Sequence, residues 1–127
     1  MTYCSDQKSE APDLLSVASR YRSNRIRAVF GAAQGLGLGF MVLSGEFGLL
    51  TADDQIPYYD HLLVTEEVRG HSAKVAEQLT ERGITDVVFF SNPASTDPLV
   101  VPYIDCMKVA CEQAGVGFKL TEIDIAD

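Results

Sequence analysis

The chain reads as an α/β protein: a single three-layer domain, about four mostly parallel strands, with helices on both faces. Three observations predict this. Short apolar runs rich in β-branched and aromatic residues alternate with longer segments of helical period, and Gly or Pro punctuates the joins. Alternation of this kind implies parallel pairing through right-handed crossovers. At 127 residues the chain fits one domain with a real core.

Taken in order, a very short first strand is expected at residues 1–4. A helix follows over 22–33, where Ile26, Val29, Phe30 and Ala33 keep a helical period. It runs into Gly35-Leu-Gly-Leu-Gly39, which superficially resembles a dinucleotide fingerprint. That segment precedes a strand instead of following one, so no helix amino end would face an anion there, and it reads as a helix stop and turn. A strand at 40–44 leads into a long loop. The next helix spans 65–82, with Val68, Val75, Ala76 and Leu79 apolar, Thr65-Glu-Glu at its start and Gly83 at its stop. Residues 86–90 read as a fully buried strand. A last helix over 99–114 places Val101, Ile104, Met107 and Cys111 on one side, with Pro98 and Pro102 near its beginning and Gly115 at its end. Residues 116–123 close the series as a strand.

Composition narrows the function classes. With 46% apolar and 22% charged residues the chain resembles an ordinary globular protein, and no apolar run approaches the ~18 residues of a membrane span. The start lacks a basic residue group followed by an apolar stretch, so no signal peptide is expected and the reading is cytoplasmic. Three cysteines without CxxC or clustered histidines predict neither a disulfide framework nor a metal site, and no cofactor is implied. Cys106 and Cys111, five apart, do not share one helix face well and read as packing residues.

The net charge of −8 is unevenly spread: residues 1–35 hold five Lys/Arg against three Asp/Glu, and the rest hold five against fifteen. Such an acidic chain disfavours non-specific nucleic-acid binding. The local exception is Arg20, Arg22, Arg25 and Arg27, of which three could line one helix side and meet a phosphate or an acidic partner, although a charge run is usually a solvated face.

Topology gathers the candidate chemistry at strand carboxyl ends, where ligands sit in open α/β sheets. These ends deliver Cys4, Ser5 and Lys8, then Ser44, Gly45 and Glu46 with the Tyr58-Tyr59-Asp60-His61 arm, then residues 91–97 beginning with Ser91. Small hydroxyl and amide side chains of this kind fix a polar ligand such as a sugar, base or phosphate. Cys4 is either a nucleophile or simply the end of a strand. Glu46 and Asp60 are either a carboxylate pair for glycosyl transfer or hydrogen-bonding groups for a backbone amide or ribose, and His61 is either an acid/base or structural.

The same residues carry a family resemblance. Cys4-Ser5-x-x-Lys8, Ser19-Arg20-Tyr21 before a helix, Leu43-Ser-Gly-Glu-Phe-Gly-Leu-Leu50 and Ile56-Pro-x-Tyr59-Asp60 resemble a bacterial family of uncharacterised small α/β domains. Its hallmark is Leu-Ser-(Ala/Gly)-x-(Tyr/His/Phe)-Gly-Leu-Leu followed by Tyr-Asp. The pattern is more distantly similar to the peroxide-stress DNA-binding protein family and to the α/β portion of the archaeosine-synthase and tRNA-guanine transglycosylase group. The resemblance covers about the first half of the chain. It implies a doubly wound fold, distantly akin to uracil-DNA glycosylases, with a pocket near Cys4, Ser5, Lys8, Tyr21, Ser44, Gly48, Tyr59 and Asp60. Glu46 departs from the pattern, since many such sequences have Lys there, and the first strand is short.

Three functions are therefore carried forward. The first is binding of a nucleotide-, nucleoside- or base-like ligand at the strand ends, with glycosidase or transglycosylase chemistry on Asp60 or Glu46. The second is a non-catalytic ligand-sensing or protein-interaction module. The third is a stress-linked nucleic-acid binder, against which the charge weighs. The expected partner is a small polar ligand, without a membrane; pairing with a second copy of the chain is left open.

Overall fold

A computed structural model describes residues 1–127 and divides them into two units, Met1–His61 with Ile125–Asp127, and Leu62–Asp124. The class is α/β. Five strands form mostly parallel pairs, four α-helices accompany them, and a two-residue ribbon stands apart.

In the first unit, β1 (Thr2–Tyr3) lies parallel to β3 (Met41–Ser44), with Thr2 opposite Val42 and Tyr3 opposite Leu43. Between them, β2 (Leu15–Ser16) leads into the single turn α1 (Val17–Arg20), and α2 (Asn24–Leu36) follows. Ser16 and Ser23 cap these helices, each hydroxyl accepting from a backbone N–H three residues on. α2 buries Arg25, Ile26, Val29 and Ala33 and stops at Gly37, whose φ of 68° completes the expected stop in the glycine-spaced segment.

After β3 the structure corrects the reading of a long loop. Residues 45–47 make a tight turn and β4 (Gly48–Thr51) returns antiparallel to β3, with Ser44 opposite Gly48 and Met41 opposite Thr51. Gly48 takes φ 76° at that turn, a conformation open to glycine at little strain. Leu49 and Leu50, within the span expected to be a loop, are strand residues buried beside Val42 and Leu43. β5 (Gln55–Ile56) then pairs antiparallel with β2.

The second unit starts with a 3₁₀ turn (Thr65–Glu67), in which Glu67 accepts from the Val64 N–H, and continues into α3 (Val68–Glu81). β6 (Asp86–Ser91) and β7 (Gly117–Glu122) are parallel through six registered positions, from Asp86 opposite Gly117 to Ser91 opposite Glu122. α4 (Val101–Ala114) joins them after a 3₁₀ turn at Pro98–Val100 and packs on α3. Both prolines sit in the opening turns, where a missing N–H is harmless.

Two sequence expectations change here. β6 is not fully buried: Val87, Phe89 and Ser91 face in, while Asp86 and Val88 are exposed, so it alternates like a half-covered strand. On α4 the buried residues are Tyr103, Cys106, Met107, Ala110 and Cys111, whereas Val101 is exposed. The stripe is turned toward the large side chains Tyr103 and Met107, and it takes in both cysteines, because positions i, i+3, i+4, i+7 and i+8 share one face. No helix is long and apolar enough to cross a membrane.

Candidate functional site

Because β1 and β3 are parallel neighbours, their carboxyl ends lie together within the first unit and bring residues 4–8 beside residues 44–46. Cys4 ends β1, buried, with its N–H donating to the Leu43 carbonyl at 2.9 Å. The chain then turns so that Lys8 forms an isolated antiparallel bridge with Tyr21. The flanking bonds are Arg22 N to Gln7 O at 2.6 Å and Ser9 N to Arg20 O at 2.7 Å. The strand end and the segment before α2 are thereby tied.

At the centre is a chain of hydroxyls. Ser44 Oγ accepts from the N–H groups of Glu46 and Phe47, both at 3.1 Å, so its proton points away from the turn and donates to Tyr59 Oη at 2.9 Å. Tyr59 Oη in turn meets Tyr21 Oη in a short hydrogen bond. Phe47 packs edge-on against the Tyr59 ring with centroids 5.0 Å apart. The Lys8 ammonium stands over both rings, 4.7 Å from the Tyr59 centroid and 5.9 Å from that of Tyr21. It pairs with no carboxylate.

Burial pushes both phenols well above their ordinary range. The two tyrosines are therefore neutral hydrogen-bonding groups at any physiological pH, not bases. Tyr59 has one oxygen to share between Ser44 and Tyr21, which keeps the hydroxyl chain in register.

Of the two carboxylates singled out, Glu46 lies on the turn after β3 and its Oε2 is 2.5 Å from His61 Nδ1. The histidine side chain is 33% exposed and the glutamate 44%, so the pair is open to solvent. Asp60 is exposed and makes no side-chain hydrogen bond or ion pair. Tyr58 beside it is also exposed. Gly48 is a backbone position, fixing the turn that aims Ser44.

Ser5 is buried and points elsewhere: it donates to Asp127 Oδ2 at 2.6 Å. Ser91 ends β6 in the second unit, where its hydroxyl donates to the Asn92 carbonyl at 2.8 Å and its carbonyl accepts from Ile123 N at 2.9 Å. The structure thus gathers Cys4, Lys8, Tyr21, Ser44, Tyr59 and Phe47, with the Glu46 and His61 pair on the adjoining turn. Nowhere do three or more His, Cys, Asp or Glu side chains cluster as a metal would need.

The arginine cluster is corrected outright. Arg20 and Arg25 are completely buried, while Arg22 and Arg27 are exposed, so no basic face exists. Arg20 donates to the carbonyls of Ser9, Ala11, Asp13 and Ile56 at 2.6–3.1 Å and so holds the segment before β2 against β5. Arg25 donates to Thr2 Oγ1, to the carbonyls of Tyr3 and Cys4, and to Asp127 Oδ2, and lies 3.6 Å from the Tyr3 ring centroid. A positional signal was present for Arg25. It precedes Val29 and Ala33 by four and eight residues, on the stripe that faces in.

No family model matches the chain, and no curated protein or solved structure matches it either.

Proposed function

We propose that the first unit binds a small nucleotide-like ligand at the carboxyl ends of β1 and β3. The observation that carries this is Lys8: an ammonium held over two phenol rings, beside a buried hydroxyl chain, without a carboxylate partner in a chain of net charge −8. A cation left unpaired among acids suits an anionic group on a ligand. Tyr58 offers an exposed aromatic face to a base, and Asp60 an acceptor for ribose hydroxyls or an exocyclic amine.

Calorimetric titration with bases, nucleosides and nucleoside monophosphates tests the reading. Monophosphates bind about tenfold tighter than nucleosides, and Lys8→Met removes that difference while leaving nucleoside affinity in place. Equal affinity of the two classes, or none for either, overturns it.

A second reading adds chemistry, and the Glu46 and His61 hydrogen bond favours it. A carboxylate bonded to an imidazole is a proton-transfer pair, and Asp60 is then the carboxylate that stabilises an oxocarbenium-like transition state in glycosidic cleavage. Release of free base from nucleosides, lost in Asp60→Asn and in Glu46→Gln with affinity kept within about tenfold, supports catalysis. Binding without base release leaves the first reading alone.

A further inference from the structure

The carboxylate of Asp127 is held as a bound oxyanion would be. Ser5 Oγ donates to its Oδ2 and Ser23 Oγ to its Oδ1, both at 2.6 Å, and Arg25 Nη2 lies 3.2 Å from Oδ2. Neither hydroxyl is oriented by Asp127 alone. Ser5 Oγ also accepts from the Gln7 N–H at 3.0 Å, and Ser23 Oγ accepts from Ile26 N at 3.0 Å as the cap of the 13-residue helix α2. With their acceptor sides occupied by backbone, both protons are aimed at the anion. The helix amino end adds its partial positive charge there.

Arg25 is likewise placed without help from Asp127. Its other donors reach Thr2 Oγ1 at 2.7 Å, Tyr3 O at 2.7 Å and Cys4 O at 3.0 Å, and its ring contact with Tyr3 fixes the plane. Its Nε, also buried, has no acceptor. Arg20, equally buried, is served by carbonyls alone, so the carboxylate beside Arg25 marks this guanidinium as the one set against an anion. The anion itself is the loosest member: the Asp127 side chain is 24% exposed against 0% for Arg25, and it sits in a stretch without regular structure.

We propose that Ser5, Ser23 and Arg25 form an oxyanion site that Asp127 fills from within the chain, and that a phosphate or carboxylate group on an external ligand competes with Asp127 for it. The donor set sits just after β1 and at the start of α2, and each donor has partners of its own besides Asp127. Two aligned hydroxyls, a guanidinium and a helix amino end suit a tetrahedral oxyanion at least as well as a carboxylate. This site is separate from the Lys8 contact and does not depend on it.

The experiment is titration of inorganic phosphate, with acetate in parallel, into the full chain and into Asp127→Asn, followed by ¹H–¹⁵N NMR at the amides of Ser5, Gln7, Ser23 and Ile26. Asp127→Asn keeps the side-chain shape and removes the charge, while the bonds of Arg25 to Thr2, Tyr3 and Cys4 stay in place to hold the guanidinium. Its amides shift saturably with phosphate, at least about tenfold tighter than in the unaltered chain. Adding Ser5→Ala abolishes the response, whereas adding Lys8→Met leaves it intact. A stronger response to acetate than to phosphate identifies carboxylate as the group the site prefers. If Asp127→Asn binds neither anion better than the unaltered chain does, or if Lys8→Met rather than Ser5→Ala removes the response, Asp127 is a structural latch and the proposal fails.

Discussion

The two units solve the problem of burial in opposite ways. The first takes inside two arginines, Thr2, Ser5, Ser23 and Ser44; the second takes in only Ser72 and Ser91 beside an apolar core of Val75, Leu79, Phe89, Met107 and the two cysteines. Apolar burial is tolerant, since volume and pattern are enough to fold it. Polar burial is specific, because each donor needs its acceptor in place. The second unit has the makings of a scaffold. The first carries charge and hydroxyls where function would use them.

The largest effect expected from this contrast is at Arg20. Its guanidinium serves four carbonyls and no carboxylate, so Arg20→Met leaves the buried Ile56 carbonyl and three part-buried carbonyls unserved. We expect a loss of about 3–5 kcal/mol. Arg20→Lys does not restore it, because one ammonium cannot span four oxygens in a fork geometry. In the second unit, Met107→Leu at an equally buried position costs less than about 1.5 kcal/mol. Urea denaturation of the three variants checks both numbers, and comparable losses for Arg20→Met and Met107→Leu would erase the distinction.

Alkaline pH acts on the two units in turn. Burial pushes the thiols of Cys106 and Cys111 from 9.0 up to about 11, Ser72 partly offsetting this at Cys106. The folded state therefore holds those protons when the unfolded state has lost them. Their contribution is fully present below pH 9 and is lost as pH rises toward about 11, at ~1.4 kcal/mol per pH unit for each thiol. Tyr21 and Tyr59, raised from 10.0 by burial, add a second decline that begins only above pH 10. The urea midpoint should fall from pH 9 in the unaltered chain, and less steeply in Cys111→Ala. A midpoint flat between pH 8 and 10.5 would show that the thiols titrate freely.

At the hydroxyl chain a smaller change separates stability from binding. Tyr59→Phe keeps the ring under Lys8 and against Phe47 but removes the oxygen shared by Ser44 and Tyr21. Stability falls by about 1–2 kcal/mol, the ordinary consequence of unpairing buried hydroxyls. Lys8→Met at the same site leaves stability within about 0.5 kcal/mol, because Lys8 forms no ion pair. If Lys8→Met destabilises more than Tyr59→Phe, Lys8 is a packing residue and the ligand reading loses its support.

What was legible in the sequence follows the same divide. The helices and strands of the second unit are visible because apolar patterning reports burial directly, and Val75, Ala76 and Leu79 behave as their period says, whereas the run 86–90 hid the exposure of Val88. Cys4, Lys8, Ser44 and Tyr59 could be grouped from the order of strands alone, since parallel neighbours share a carboxyl edge, whereas Tyr21 came only with the family resemblance. Arg20 and Arg25 could not be separated from Arg22 and Arg27 by composition, because burial of an arginine depends on carbonyls up to 36 residues away. β4 was hidden because Phe47-Gly-Leu-Leu50 has no alternation when both faces are covered. Asp127 gave no local signal at all, as its partners lie 102 to 122 residues earlier.

The finest test compares one device that both units share. Gly37 ends α2 at φ 68° and Gly115 ends α4 at φ 69°, each with its N–H returned to the last turn and with open space where a Cβ would stand. Nothing but backbone conformation resists a side chain there, so Gly37→Ala and Gly115→Ala should each cost about 1 kcal/mol, the left-handed strain of an L residue. The polar or apolar character of the neighbouring core should not enter. Equal losses by urea denaturation would locate the difference between the units in their interiors. A loss at Gly37 exceeding that at Gly115 by more than about 1 kcal/mol would instead show that the polar interior of the first unit amplifies even a surface strain, since α2 carries Ser23 and Arg25 at its other end.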